Sequence, residues 1–231
     1  MPANTKLRAL IIQHEELTPP GLIRNWLEEQ NAEVDLLRID EHERMPDPRD
    51  YQLVVSLGSE SASYNDSIPF VARETKLIRA AHAADVPILG VCFGSQLMAR
   101  ALGGRSFKAD RPEIGWLRVR TNDPELVPDG PWFNWHFDAF SLPPGAQLVA
   151  ETDVGPQAYV IGRSLGLQFH PEVTFEIVES WVLSSPDQVD AAGVDPAALL
   201  EETKRRALES QKNTECLLSR YLEGIARPVE H

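Results

Sequence analysis

The stretch that most constrains the fold is residues 86–104, VPILGVCFGSQLMARALGG, because a strand pattern passes directly into a helix pattern there. The residues before Cys92 are apolar and β-branched, which is typical of a strand buried on both faces. After Cys92, apolar residues recur at helical spacing until a Gly-Gly pair ends the helix. We therefore predict a sharp turn at Cys92, with Gly90 and Gly94 two residues away on either side.

This arrangement of strand, cysteine and helix is that of a nucleophile elbow, in which glycines let the strand and the helix approach closely. The N-terminus of a helix also favours the thiolate, which is the reactive form of cysteine. The same pattern fits a small apolar side chain in a core, which is the usual place of a free cysteine. The stretch alone leaves both interpretations of Cys92 open.

Composition excludes several classes of protein. The 231 residues are enough for one large α/β domain and carry a net charge of −13, which repels a phosphate backbone, so we expect no nucleic-acid partner. No apolar run reaches the ~20 residues of a membrane span, and the N-terminus lacks a signal-peptide pattern, so we expect a cytoplasmic protein without membrane contact. Cys92 and Cys216 are the only cysteines and form no disulfide framework.

The first half of the chain alternates between strand and helix patterns. Buried strands are predicted at 7–12, 34–39, 51–57 and 86–91. Helices are predicted after the first strand, at 69–84 and after Cys92. Strands separated by helices form a mostly parallel sheet with helices on both faces, so the predicted fold class is α/β, a three-layer α/β/α sandwich.

The pattern changes after residue 104, where short runs bounded by turns replace the helices. We predict a small antiparallel extension from runs at 116–120, 140–142, 147–152, 158–161 and 165–169. A helix at 175–183, a loop at 184–187 and a long amphipathic C-terminal helix at 196–225 follow. Without repeats or linkers, residues 1–231 are expected to form a single domain.

The second informative stretch is QFHPEVT, residues 168–174. Pro171 prevents a helix, so the side chains of His170 and Glu172 point to the same side of an extended segment. A carboxylate beside an imidazole can orient the ring and stabilise the imidazolium. Alone, the tripeptide also fits a surface pair or part of a metal site. No second cluster with ligand spacing accompanies it, so we expect no metal and no cofactor.

Together, GVCFGSQ at 90–96 and QFHPEVT at 168–174 resemble the class I, triad-type glutamine amidotransferases. EIGW at 113–116 and WHFD at 135–138 are most similar to the GMP-synthetase-like branch of that family, including its stand-alone members. The resemblance covers residues 50–180 strongly and the first strands more loosely. It implies a flavodoxin-like fold and a small-molecule substrate.

By position, the resemblance implies that Cys92 attacks the side-chain amide carbon of glutamine, that His170 moves the proton and that Glu172 orients His170. The backbone N–H groups of Gly58 and Phe93 would stabilise the oxyanion. The residues that the resemblance places at the amino-acid end of the substrate are Gln96, Trp135, His136, Phe137 and Asp138. Of these, His136 is expected to order its loop.

Two departures from the family pattern bear on the substrate. The usual Gly-Gly-Pro after the third strand is replaced by a segment in which Gly58 precedes Ser59, and the usual His-Gly-Asp contains Phe137 at its centre. A γ-glutamyl amide or peptide has the same scissile carbonyl as glutamine but a different leaving group. A bulky side chain in the pocket wall could select such a substrate. His14 shows no partner pattern, and we expect it on the surface or in a loop.

The leading hypothesis is an enzyme that releases ammonia from glutamine through a γ-glutamyl thioester on Cys92. No synthetase domain is expected in this chain, so a separate synthetase subunit would accept the ammonia. One alternative is a γ-glutamyl peptide or amide hydrolase with the same triad. The other is a catalytically silent regulatory or binding subunit, against which the intact set of Cys92, His170 and Glu172 argues.

Overall fold

The computed structural model describes residues 6–226, which form ten strands and six α-helices. The strands are β1 (Arg8–Gln13), β2 (Glu33–Arg38), β3 (Leu53–Ser56), β4 (Ile88–Val91), β5 (Arg105–Leu117), β6 (Arg120–Thr121), β7 (Trp132–Ser141), β8 (Gln147–Glu151), β9 (Pro156–Ile161) and β10 (Ser164–Leu167). The helices are α1 (Gly21–Glu29), α2 (Pro69–Ala83), α3 (Phe93–Ala101), α4 (Phe175–Ser184), α5 (Pro186–Ala191) and α6 (Pro196–Arg220).

Eight strands form the central sheet, in the order β2-β1-β3-β4-β10-β9-β8-β6. The first five are mutually parallel, and β9, β8 and β6 extend the sheet with antiparallel pairs. Alternate residues of β1 contribute to two cores. Ala9 and Ile11 belong to the core that contains residues of α1 and α6, and Leu10 and Ile12 to the core that contains residues of α2 and α3. This mostly parallel sheet between helices confirms the predicted fold class.

The region after α3 differs from its predicted elements. Strands β5 and β7 pair as a separate antiparallel ribbon of 13 and 10 residues, where the sequence predicts only short runs at 116–120 and 140–142. The first half of β5 is largely exposed and polar, and its register shifts between Lys108 and Glu113, so it lacks the regular alternation of a half-buried strand. Cross-strand hydrogen bonds to β7 stabilise it instead.

The loop predicted at 184–187 is also wrong in part, because α5 begins at Pro186. Proline is common at the first position of a helix, because a backbone N–H at that position would have no acceptor within the helix. The six residues of α5 are too few for a clear helical period in the sequence.

The C-terminal helix α6 follows the predicted course and secures the segment that contains His170. Thr214 on α6 donates a hydrogen bond from Oγ1 to the backbone oxygen of Pro171 at 2.7 Å. Beyond α6, a π-helical turn at Tyr221–Ile225 lets the Tyr221 hydroxyl donate to the Arg163 carbonyl at 3.1 Å. Between residues 6 and 226, no helix combines the length and apolar character needed to cross a membrane.

Two glycines let α3 start directly against the sheet. A Cβ added to Gly90 would lie 2.8 Å from the backbone nitrogen of Ser95. A Cβ added to Gly94 would lie 2.2 Å from the backbone oxygen of Ser56, at the end of β3. Neither distance leaves room for a methyl group, so the turn between β4 and α3 requires glycine at both positions.

We expect Gly94→Ala to lower the free energy of unfolding by about 3 kcal/mol, because the added methyl group overlaps rigid backbone atoms of β3. Denaturant unfolding measures this change. The matched control is Gly224→Ala, where no atom lies within 4 Å of the added Cβ. An equal loss of stability in both variants would contradict the close packing of α3 on β3.

Candidate active site

A cavity of about 360 Å³ opens where β3 and β4 end, with Cys92 and His170 in its wall. In parallel α/β sheets, ligands bind outside the carboxyl ends of the strands, and this cavity has that location. The loop after β3 contributes Gly58, and β7 contributes the segment from Trp135 to Asp138. The cavity therefore brings together residues from four separate parts of the chain.

Cys92 adopts a backbone conformation that is rare outside glycine, with φ +49° and ψ −108°. Its N–H donates to the Leu167 oxygen of β10 at 2.7 Å, and its own oxygen accepts from the Gln96 N–H of α3 at 3.0 Å. These hydrogen bonds to the sheet and the helix hold the strained residue in place. The structure thus has the sharp turn from strand to helix that the sequence predicts at Cys92.

His170 and Glu172 form a buried pair at the rim of the sheet. The His170 Nδ1 lies 2.6 Å from Glu172 Oε1, and both side chains are 4% exposed. The Phe133 oxygen of β7 accepts a hydrogen bond from the His170 N–H at 2.8 Å. The edge of the Trp181 ring packs against the imidazole, with centroids 4.9 Å apart. The imidazole is therefore fixed by its backbone, by the carboxylate and by an aromatic neighbour.

The surroundings of His170 favour its charged form. Burial lowers the pKa of His170, but the charges of the Glu172 carboxylate and the Cys92 sulfur outweigh burial and raise the pKa to about 10. The direction of this shift favours the imidazolium form of the ring beside the cysteine. An imidazolium of this kind can give a proton to a leaving group and stabilise a neighbouring thiolate.

Two backbone N–H groups near the cysteine, those of Gly58 and Phe93, have no backbone acceptor among the residues that the structure describes. The Leu57 oxygen accepts from the Gly94 N–H at 3.1 Å, so the N–H of Gly58, on the same trans peptide, points the opposite way. The Phe93 N–H belongs to the first turn of α3, where no intrahelical acceptor exists. Among residues 6–226, neither N–H donates a hydrogen bond to another backbone oxygen.

The expectation for His14 is confirmed in that it lies in the loop after β1, and it is wrong in that the side chain is not at the surface. His14 is fully buried after β1, with Nδ1 2.9 Å from the Gly58 oxygen and Nε2 2.7 Å from Glu74 Oε2. Ser56 donates to the other oxygen of Glu74 at 2.6 Å. Burial lowers the pKa of His14, but the charge of Glu74 reverses this effect and the pKa is raised overall. The contact of His14 with the Gly58 oxygen therefore holds the loop after β3 in place.

Sequence reasoning missed His14 because its partner lies 60 positions away, on α2. Neither residue belongs to a short motif. The available signal was weak: a histidine that directly follows a buried parallel strand lies at the edge of the sheet where ligands bind.

Gln96 and a second glutamine, Gln168, lie beside the cysteine, and both side chains are buried. Gln96 Nε2 is 3.1 Å from Gln168 Oε1 and 3.4 Å from the Asp138 oxygen. Gln168 Nε2 is 3.6 Å from Cys92 Sγ. Gln168 was not among the predicted site residues, although its position two residues before His170 in an extended segment places both side chains on one side.

The segment from Trp135 to Asp138 belongs to strand β7 and lines the cavity, although the resemblance implies a loop there. Trp135 donates from Nε1 to Gln188 Oε1 at 2.7 Å. The ammonium group of Lys108 lies 4.9 Å from the centre of the Phe137 ring. Burial raises the pKa of Asp138, whose Oδ1 accepts from the Tyr64 hydroxyl at 3.2 Å.

His136 ties β7 to its neighbours and not to Cys92. Its Nδ1 lies 3.0 Å from the Asp138 oxygen, and its Nε2 lies 3.0 Å from Glu113 Oε2 on β5. Glu113 Oε2 also accepts from Gln157 Nε2 at 2.8 Å. These contacts fix the position of the strand that forms one wall of the cavity.

Three buried histidine side chains in and around the cavity each contact a glutamate. The three histidine–glutamate pairs are His170 with Glu172, His136 with Glu113, and His14 with Glu74. Each imidazole contacts one carboxylate, and a carboxylate in this position can orient the ring and stabilise its protonated form. Within the described part of the chain, no three His, Cys, Asp or Glu side chains converge as a metal site would require.

The curated relatives of the chain are glutamine-hydrolysing proteins. The chain is 36% identical over 146 residues to GMP synthase [glutamine-hydrolyzing] of Trichormus variabilis, which covers 59% of this chain and 25% of the relative. It is 35% identical over 147 residues to the protein of the same name from a strain of Thermus thermophilus, covering 59% and 29%. The aligned part thus spans about a quarter of the length of these relatives.

Solved structures extend the similarity to almost the whole chain. A glutamine amidotransferase from Thermotoga maritima superposes with a TM-score of 0.85 at 31% identity, over 94% of this chain and 99% of that chain. One from Methylobacillus flagellatus has a TM-score of 0.87 at 28% identity, over 98% of both chains. The family model described as glutamine amidotransferase class-I matches residues 21–183. On this evidence, the chain belongs to the class I glutamine amidotransferase family.

Proposed function

We propose that this chain is a cysteine hydrolase that releases ammonia from the side-chain amide of glutamine. The observation that carries the proposal is the shared cavity wall of Cys92, on a strained elbow, and His170, paired with Glu172. A nucleophile, a base and a carboxylate that orients the base are the groups that acyl transfer requires. Membership of the family supplies the amide of glutamine as the bond to be broken.

The reaction proceeds in two acyl transfers. The Cys92 thiolate attacks the amide carbon, and the C–N bond breaks as the His170 imidazolium gives its proton to the departing nitrogen, leaving a γ-glutamyl thioester. His170 then takes a proton from water, which attacks the thioester and releases glutamate. The N–H groups of Gly58 and Phe93 stabilise the oxyanion of both steps, each by a few kcal/mol.

The amino-acid end of the substrate lies against β7 in this proposal. Gln96 and the segment from Trp135 to Asp138 line the cavity and present backbone and side-chain polar groups. Because His136 and Asp138 are held by neighbours within the protein, this wall is rigid before the substrate arrives.

We expect Cys92→Ala to reduce ammonia release from glutamine by a factor on the order of 10⁴ or more, because no thioester can form. The assay measures ammonia and glutamate produced by the purified chain. Cys216→Ala is the matched control, since Cys216 lies on α6, away from the cavity, and should keep the full rate. Retained turnover in Cys92→Ala would rule out Cys92 as the nucleophile.

The pairing of His170 with Glu172 also has a measurable consequence. In Glu172→Gln, the carboxylate charge that raises the pKa of His170 is lost while burial remains, so the pKa falls from about 10 toward or below its ordinary value. Titration of the imidazole resonances by NMR reports this pKa. Glu113→Gln is the control, because Glu113 contacts His136 and not His170. An unchanged His170 titration in Glu172→Gln would refute the pairing.

A second candidate, hydrolysis of γ-glutamyl amides or peptides, is supported by the size and lining of the cavity. Its volume of about 360 Å³ lies within the range of pockets that enclose complete small-molecule ligands. Aromatic side chains of Trp135, Phe137 and Trp181 line it. The thioester chemistry is the same for both candidates, and only the leaving group changes from ammonia to an amine.

The leaving group decides whether a partner is needed. Ammonia from glutamine would pass to a separate synthetase subunit, in keeping with the names of the curated relatives. An amine released from a γ-glutamyl amide needs no acceptor. Faster turnover of γ-glutamyl amides than of glutamine by the isolated chain would favour the second candidate.

Phe137→Ala tests whether the aromatic wall selects the leaving group. If Phe137 contacts an extended leaving group, we expect kcat/KM for γ-glutamyl amides to fall about tenfold relative to glutamine. Kinetics with glutamine and a series of γ-glutamyl amides measure the ratio. Phe107→Ala is the control, because Phe107 lies on β5 outside the cavity and is already 46% exposed. A constant ratio in Phe137→Ala would exclude this selective role.

A further inference from the structure

The hydrogen bonds around Gln96 permit only one orientation of its amide. The Asp138 backbone oxygen, 3.4 Å away, can only accept, so the atom of Gln96 that faces it is the NH₂ group. The Ser63 hydroxyl lies 3.4 Å from the other atom, Gln96 Oε1, and 2.8 Å from Ser106 Oγ. A carbonyl of strand β7 therefore determines which way Gln96 points.

The orientation of Gln96 determines that of Gln168. The same NH₂ group of Gln96 is 3.1 Å from the Gln168 amide, so it must meet the oxygen of that amide. The NH₂ group of Gln168 is then left facing Cys92 Sγ, 3.6 Å away. Gln168 is 1% exposed, so water does not compete for this contact.

We propose that Gln168 is a further catalytic residue, which donates a hydrogen bond from its amide to the thiolate of Cys92, and that Gln96 is the positioning residue that aims this amide. Sulfur accepts hydrogen bonds weakly as a thiol and much more strongly as an anion. The amide of Gln168 carries no ionisable proton, so it stabilises the thiolate without taking over the proton transfer of His170.

The donor matters at two points of the reaction. It lowers the free energy of the thiolate before attack on the amide carbon. It stabilises the thiolate again when the sulfur leaves during hydrolysis of the thioester. This inference rests on the proposed role of Cys92 as the nucleophile. Its test requires no substrate, so the failure of one proposal can be told apart from the failure of the other.

The test is alkylation of Cys92 by iodoacetamide as a function of pH, in a Cys216→Ala background. Gln168→Met keeps a side chain of similar length but has no N–H donor. We expect the midpoint of its alkylation profile to move up by about one pH unit, the size expected for losing a hydrogen bond to a charged group. Gln168→Glu, which has only acceptors when ionised, should move the midpoint at least as far.

The relay from Gln96 adds a second, independent readout. Gln96→Met should move the midpoint in the same direction by a smaller amount. The amide of Gln168 remains in this variant, but the hydrogen bond that orients it toward Cys92 Sγ is lost. The double variant should shift no further than Gln168→Met alone, since both changes remove the same interaction. If the midpoint shifts of the two single variants add up in the double variant, Gln96 does not act through Gln168.

Gln13→Met is the matched control, because the side chain of Gln13 is buried and contacts the backbone oxygen of Glu15, not the cysteine. It should leave the alkylation profile unchanged. If Gln168→Met and Gln168→Glu fold and both keep the wild-type profile, the assignment of Gln168 is overturned. If the profile shifts while the wild-type chain releases no ammonia or amine from any γ-glutamyl compound, the hydrogen bond stands and the proposed function falls.

Discussion

The close contact between the first turn of α3 and the end of β3 is the constraint on which the rest of the site depends. Gly94 packs so tightly on Ser56 that any larger residue would overlap the backbone, and its N–H donates to the Leu57 oxygen. Cys92, which joins β4 to this helix, has a positive φ at the turn. The same hydrogen bond turns the Gly58 N–H toward the other side of its peptide. One packing contact therefore places both the sulfur and a backbone donor.

Buried histidine–glutamate pairs give the site its electrostatic character. The surface carries the excess of acidic residues, whereas the interior around the cavity pairs each imidazole with one carboxylate. Burial lowers the pKa of His170 and of His14, but the carboxylate in contact with each ring raises the pKa overall. In the proposed reaction His170 moves protons with the help of such a pair, while the His14 ring contacts Glu74 and the Gly58 oxygen. A histidine–glutamate pair thus has a proposed part in the reaction at His170 and a structural part at His14.

The two sides of the cavity have different parts in the proposed reaction. The side formed by Cys92 and His170 contains the groups proposed to make and break bonds, with Gln168 beside the sulfur and Glu172 beside the imidazole. The wall formed by β7 and β5 contains Phe137 beneath Lys108 and contacts the parts of the substrate that do not react. Phe137, in the wall formed by β7, is one of the two departures of this chain from the family pattern. Substrate choice is therefore expected to depend on β7.

The sequence by itself determined the features that arise from neighbouring residues. The elbow at Cys92, the shared orientation of His170 and Glu172, and the parallel sheet all follow from local spacing and period. Only the tertiary structure decided the partner of His14, the direction of the Gln168 amide and the length of the β5–β7 ribbon. These depend on contacts between residues dozens of positions apart, such as the 76 positions between Gln168 and Cys92. A local pattern reports what one segment can do, whereas a buried polar group finds its partner only when distant segments pack together.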